Sequence, residues 1–182
     1  MDPIQLDDLR FVPFLSSDII QARVREMGQT LHKAMPHDHP VFLIMLKVAF
    51  VFGADLVRAF DAPCEISFVR TQSYEGTSSS KQLKIILGPE VEELRNRHIV
   101  IVEDIVDSGH TMARFLPMVT EQQPASVRLV SLLFKPDMLE EDITIDEIGF
   151  TIPPKFVVGY GLDYDGLGRN LPAIYQLVSD ED

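Results

Sequence analysis

The chain has 182 residues, 46% of them hydrophobic, a single cysteine and a formal charge of −12. One domain with a full core is expected at this size, and one thiol cannot build a disulfide framework, which fits a reducing, cytoplasmic compartment. The acidity opposes non-specific nucleic-acid binding, the longest apolar run is broken by Lys47 and too short for a bilayer span, and MDPIQLDDLR lacks the basic and apolar regions of a secretory leader.

Residues 1–15, with Pro3 and Pro13 and no clear period, read as an arm or a short strand. Ser16, Ser17 and Asp18 offer N-cap chemistry to Ile20, Val24, Met27, Leu31 and Met35, whose spacing of three or four predicts an amphipathic helix ending before Pro36. His37, Asp38 and His39 invite a metal, but no further ligand stands at helical or strand spacing, and a polar loop is the simpler reading. VFLIML at 41–46 is apolar throughout, as in a strand covered on both faces, and Lys47 ends it. Phe50, Ala54, Leu56, Val57 and Phe60 follow with a helical repeat. A strand at 64–69 runs into RTQSYEGTSSSK, which has almost nothing to bury and is expected to be mobile. A short strand at 83–87 suits a hairpin with 64–69, and 89–97 is a charged turn or helix.

The chain is organised around IVIVEDIVDSGHTM at 99–112. Four apolar residues predict a buried strand, Glu103 and Asp104 an acidic rim at its end, and Asp107-Ser108-Gly109-His110-Thr111 a small-residue loop opening a helix. Ligands of open α/β sheets bind beyond the carboxyl ends of the strands, and backbone N–H groups at a helix N-terminus hold phosphate. Acids that accept from vicinal hydroxyls beside such a cradle suit a ribose 5-phosphate. Beyond this stretch a helix through 112–120 stops by Pro124, a buried strand at 127–134 ends in Lys135-Pro136, and residues 137–155 are acidic connecting structure with a short strand near 148–151. Phe156-Val157-Val158 is a strand opening into a loop of glycines and aspartates. Asp163 and Asp165 do not begin a calcium loop, because Leu167 stands at the next ligand position. Dinucleotide and P-loop motifs are absent from the sequence.

EDIVDSGHT with its apolar strand resembles the phosphoribosyl-pyrophosphate motif of type I phosphoribosyltransferases, in particular of hypoxanthine-guanine phosphoribosyltransferases. The resemblance covers roughly residues 41–171, with its motifs in order. It implies an α/β fold with a mostly parallel twisted sheet flanked by helices, a core of about 16–136, a small hood from 1–15 and 137–182, and a flexible lid containing Ser73 and Tyr74. It also implies transfer of ribose 5-phosphate from phosphoribosyl pyrophosphate to a 6-oxopurine. In that scheme Glu103 and Asp104 hold the ribose hydroxyls with magnesium nearby, and Ser108, Gly109, His110 (by its backbone) and Thr111 cradle the phosphate. Asp107 exchanges a proton with the purine, Lys135 meets its exocyclic oxygen, Phe156 stacks on it and Val157 reads its edge. Leu46, Lys47 and Arg169 meet pyrophosphate, and Asp163 binds a second Mg2+. The Leu46-Lys47 pair matches a loop whose peptide can be cis; the family usually has glycine where Val48 stands. A homodimer or homotetramer is implied as well. A nucleotide-binding regulator without catalysis, or an enzyme for another base such as xanthine, are the other readings.

Overall fold

A computed structural model describes residues 1–35, 39–74 and 82–178. In chain order it contains β1 (Ile4–Leu6), β2 (Leu9–Leu15), α1 (Ser17–Ala34), β3 (Val41–Leu46), α2 (Phe50–Ala59), β4 (Glu65–Tyr74), β5 (Gln82–Leu87), α3 (Val91–Leu94), β6 (His98–Val106), α4 (His110–Thr120), β7 (Ser126–Phe134), a 3-10 turn at Pro136–Met138, β8 (Glu147–Thr151), β9 (Val157–Val158) and β10 (Ile174–Leu177). The main sheet has the order β5-β4-β3-β6-β7-β8, parallel except for β5. Its central strands β3 and β6 are the two uninterrupted apolar runs, and Val41 to Met45 and Ile99 to Val102 are all buried, as a sheet covered on both faces requires. The sugar-phosphate motif thus sits at the middle of the sheet rather than at an edge.

Ser16 caps α1, its hydroxyl accepting from the Ile19 N–H at 3.4 Å. The helix buries Ile20, Val24, Met27 and Leu31, the predicted stripe. At Gly28 the backbone of Ala59 in α2 comes so close that a Cβ would lie 2.5 Å from its carbonyl, so the two helices pack backbone to backbone. Arg23, on the same helix, donates to the carbonyls of Ile148 (2.7 Å) and Gly149 (3.0 Å) on the edge strand β8. It also faces Glu147, whose carboxyl burial pushes up and Arg23 and Arg128 pull back. Arg23→Ala is therefore expected to lower unfolding free energy by about 1.5–3 kcal/mol, the scale of charged hydrogen bonds, measurable as a fall of several degrees in thermal unfolding.

A second, antiparallel sheet has the order β1-β2-β10-β9 and its own small core of Phe11, Val158, Ala173 and Tyr175. The expected hood boundary changes: β8 pairs in parallel with β7 and extends the main sheet, so the second sheet draws its later strands from residues 157–177 only. The strand at Ile174–Leu177 has no counterpart in the sequence reading. The expected mobile stretch also shrinks, because β4 continues through Arg70 to Tyr74. There it pairs with β5, Thr71 opposite Ile85 and Gln72 opposite Lys84; a ladder of backbone hydrogen bonds needs no apolar side chains. Ser73 and Tyr74 contribute their backbones to this strand, whereas 75–81, the rest of the expected lid, and His37 and Asp38 lie outside the described residues. Among the described residues no helix is long and apolar enough to cross a membrane.

Candidate active site

The acids expected on a rim lie within β6, which continues to Val106. Glu103 pairs with Ser131, Ile105 with Leu133 and Val106 with Phe134, and the Lys135 N–H donates to the Val106 carbonyl at 3.0 Å. The neighbouring strand β7, long enough to keep pairing, carries the acids inward. Asp104 is only 4% exposed, and Glu103 Oε2 is enclosed without a hydrogen-bond partner among the described residues. Burial, reinforced by Asp104, raises the Glu103 carboxyl well above the carboxylate range. Burial likewise lifts Asp104 to about 7, and Asp163 adds to it, while backbone N–H groups and Arg169 oppose the rise. Two adjacent enclosed carboxylates cannot both ionise without hydroxyl donors or a cation to receive them.

This pair has a consequence for stability. Between the ordinary Asp value of 3.8 and about 7 the folded protein holds a proton that the unfolded chain has released, so the pair's destabilising effect grows as pH rises through that window. Asp104→Asn is expected to remove much of this slope and to raise the melting temperature of the free protein at about pH 8 more than at about pH 5. Thermal unfolding across that range checks it; an equal shift at both ends would contradict the titration.

The residues after β6 form a small cup of about 100 Å³ lined by Glu103 and by residues 105–112. Gly109 turns at φ 83° and is the N-cap of α4, with no side chain capping the first turn, so the free N–H groups of that turn are left for an anion. Asp107 is among the lining residues, and its Oδ2 accepts from Lys135 Nζ at 2.9 Å. Lys135 is 8% exposed, and a lysine so buried needs this partner. Asp107 Oδ1 has no partner among the described residues. The His110 imidazole turns to Glu141 (2.8 Å) and Glu140 (3.1 Å).

A third loop edge comes from β3. The Leu46–Lys47 peptide is cis. The exposed Lys47 and Arg169 line one apolar cavity of about 750 Å³. Arg169 is held from behind: Nη1 donates to the Gly161 carbonyl at 2.9 Å and Nη2 meets Asp163 at 2.7 Å. The other Asp163 oxygen accepts from the Gly166 N–H at 2.7 Å. Since Asp104 feels the charges of both Arg169 and Asp163, this loop faces the acid pair. The carbonyl of Val48, the residue that stands at the expected glycine position, is the atom on which Gly161 packs.

Val157 belongs to the second sheet, and Phe156 immediately precedes its strand β9, its carbonyl accepting from the Leu177 N–H at 2.9 Å. Phe156 is 45% exposed, with Tyr164 edge-on at 6.1 Å and 85° and Phe11 at 6.3 Å. One part of the ring is thus held and another left open for a flat partner. Val157 is buried in β9.

Sequence reasoning missed one group beside the site, the contact of Asp55 with Tyr160 and Gln21. An aspartate within the otherwise apolar repeat of α2 was its signal.

Comparison with known proteins agrees with this arrangement. A family model described as the phosphoribosyl transferase domain matches residues 15–165. The hypoxanthine phosphoribosyltransferase of Haemophilus influenzae is 34% identical over 171 residues, covering 92% of this chain and 95% of that protein. The hypoxanthine-guanine phosphoribosyltransferase of Streptococcus pneumoniae is 37% identical over 160 residues, covering 88% of this chain and 89% of that protein. The crystal structure of a hypoxanthine phosphoribosyltransferase from Staphylococcus aureus superposes with a TM-score of 0.84 at 34% identity, covering 91% of this chain and 90% of that one. With its central β6 motif, its uncapped α4 and its Asp107–Lys135 pair, the chain belongs to the phosphoribosyltransferase family, among relatives named hypoxanthine and hypoxanthine-guanine phosphoribosyltransferases.

Proposed function

We propose that the protein is a purine-salvage enzyme that joins hypoxanthine or guanine to phosphoribosyl pyrophosphate, giving the nucleoside 5′-monophosphate and pyrophosphate. The observation that carries the reading is the Asp107–Lys135 pair, 2.9 Å long, whose aspartate lines a phosphate-sized cup. Ser108 to Thr111 bind the 5′-phosphate through the first turn of α4, and Glu103 and Asp104 accept the ribose hydroxyls. As the bond between C1′ and the pyrophosphate oxygen breaks, a bond from a purine ring nitrogen forms, and the sugar carbon passes through an oxocarbenium-like state. Lys135 occupies one oxygen of Asp107, which leaves Oδ1 to receive the purine's proton. Lys135 donates to the exocyclic oxygen as well, Phe156 stacks on the ring and the Val157 backbone reads its edge. Lys47 and Arg169 bind the leaving pyrophosphate, Arg169 through a planar fork suited to phosphate oxygens. Ser73 and Tyr74 contribute to a lid that keeps water from the sugar cation.

The residues fit Mg2+. Glu103 Oε2 is enclosed and lacks a partner among the described residues, and no group of three or more His, Cys, Asp or Glu side chains among them could hold an ion alone. Such a site suits a metal that takes most of its oxygens from substrate and water, with Glu103 and Asp104 as the protein's contribution to one ion and Asp163 as its contribution to a second. When bound, magnesium neutralises charge on the departing diphosphate. The exposed Phe50, Ile66 and Phe68 support self-association as a homodimer or homotetramer, and the free Cys64 supports cytoplasmic residence.

Incubation with labelled phosphoribosyl pyrophosphate and a panel of bases tests the reading. Nucleotide is expected with hypoxanthine and guanine and little with adenine. Binding without turnover would favour a regulator, and turnover with xanthine alone would move the substrate assignment.

A further inference from the structure

Two loops that sit apart in the sequence touch at the pyrophosphate side of the site. One follows β3 and carries Lys47; the other follows β9 and carries Asp163 and Arg169. The contact is backbone on backbone. Gly161, at φ 104°, lies so close to the Val48 carbonyl that a Cβ would stand 2.3 Å from its oxygen. The Gly161 N–H donates to the Arg169 carbonyl at 3.0 Å, and the Gly161 carbonyl accepts from the Arg169 guanidinium. Movement at Gly161 therefore moves Arg169.

The residue before this glycine is anchored elsewhere. Tyr160 is 2% exposed, and its hydroxyl donates to Asp55 Oδ2 at 2.6 Å. Gln21 Nε2 from α1 donates to the same oxygen at 2.5 Å, and Arg58 pairs with the other. Burial and the facing carboxylate push the Tyr160 phenol upward, so it remains a donor at any working pH. Asp55 lies in α2, the helix that begins three residues after Lys47. One helix thus carries the Lys47 loop at its start and clamps the Arg169 loop one turn later.

We infer that Asp55 and Tyr160 are positioning residues, which fix the spacing between Lys47 and Arg169 so that both cations meet one pyrophosphate group. The inference rests on the reading of Lys47 and Arg169 as pyrophosphate ligands. It separates the two halves of the substrate pair: the clamp acts on the diphosphate, whereas the purine is held by Lys135, just after β7, and Phe156, just before β9. It also explains why an aspartate occupies a half-buried position in a helix whose other side chains, Arg58 apart, are apolar.

Steady-state kinetics on the full-length protein decides the matter. Tyr160→Phe removes one oxygen and leaves Gln21 and Arg58 on Asp55. It is expected to raise KM for phosphoribosyl pyrophosphate about tenfold, the range of a hydrogen bond to a charged group, with kcat and the KM for hypoxanthine changed less than about twofold. Asp55→Ala, which also releases Gln21 and Arg58, is expected to raise that KM at least as much, and the double variant to be no worse than the poorer single one, since both lack the Tyr160–Asp55 bond. A lowered melting temperature with unchanged KM would make the clamp merely structural and overturn the proposal; so would multiplied effects in the double variant. Where Asp55→Ala yields no soluble protein, Tyr160→Phe alone decides. Arg169→Gln in the same assay separates the two levels. If it leaves KM for phosphoribosyl pyrophosphate unchanged, the pyrophosphate reading fails and the clamp with it. If it raises that KM while Tyr160→Phe does not, only the clamp fails.

Discussion

Asp107→Asn is expected to lower kcat by about 10²- to 10⁴-fold, the usual worth of a positioned proton acceptor, while the nucleoside monophosphate still binds. The variant keeps the shape of the side chain and an oxygen for Lys135, whose ammonium lies 2.9 Å from the native carboxylate. What it loses is the second oxygen, Oδ1, enclosed and without a partner among the described residues. An amide there offers N–H where the purine's own proton must arrive. Because phosphate binding depends on the first turn of α4 and not on this acid, nucleotide affinity measured by calorimetry should change little. Turnover close to normal would remove Asp107 from the reaction.

The second large effect concerns which base is accepted. Lys135 is 8% exposed and directly follows β7, beside Asp107. An ammonium donates and cannot accept, so it complements the exocyclic oxygen of hypoxanthine and opposes the amine of adenine. Binding adenine would leave a desolvated charge facing a donor, a cost of about 1.5–3 kcal/mol, or roughly ten- to more than a hundredfold in relative efficiency. Lys135→Gln can donate to an oxygen or accept from an amine. The ratio of kcat/KM for hypoxanthine to that for adenine is therefore expected to fall by about that factor. Since the amide can still donate to Asp107, the comparison of ratios isolates base reading from the loss of the ion pair. An unchanged ratio would show that Lys135 serves Asp107 alone.

The parts of the fold legible in the sequence were those whose signal is local. The unbroken runs at 41–46 and 99–102 could only be central strands, and Ser16 marked a helix start that the Ile19 N–H confirms. Long-range pairing hid the rest. Ile174–Leu177 is too short to announce itself after Pro172, and it is a strand because β2 and β9 flank it. Arg70 to Tyr74 looked unstructured because the stretch shows no apolar period, yet β5 satisfies its backbone. The motif located Glu103 and Asp104 but not their enclosure, which depends on how far β7 keeps pairing with β6. Asp55 and Tyr160 are far apart in the chain, and no local period links them.

The order β1-β2-β10-β9 sets a timetable for synthesis. The main-sheet strands β3 to β8 emerge from the ribosome in sequence and can pair as they appear. By contrast, β2, made before any of these, must wait for Gln176 to reach Val12 and for Leu177 to reach Phe11. During that interval its edge is open, and the strand beginning at Val157 lacks the neighbour that fixes Phe156. Such late, distant closure is slow and leaves apolar edges exposed. The nascent chain should thus acquire a folded main sheet before its aromatic shelf, and stalled translation near Leu171 should yield a protease-sensitive amino-terminal segment on an otherwise resistant body.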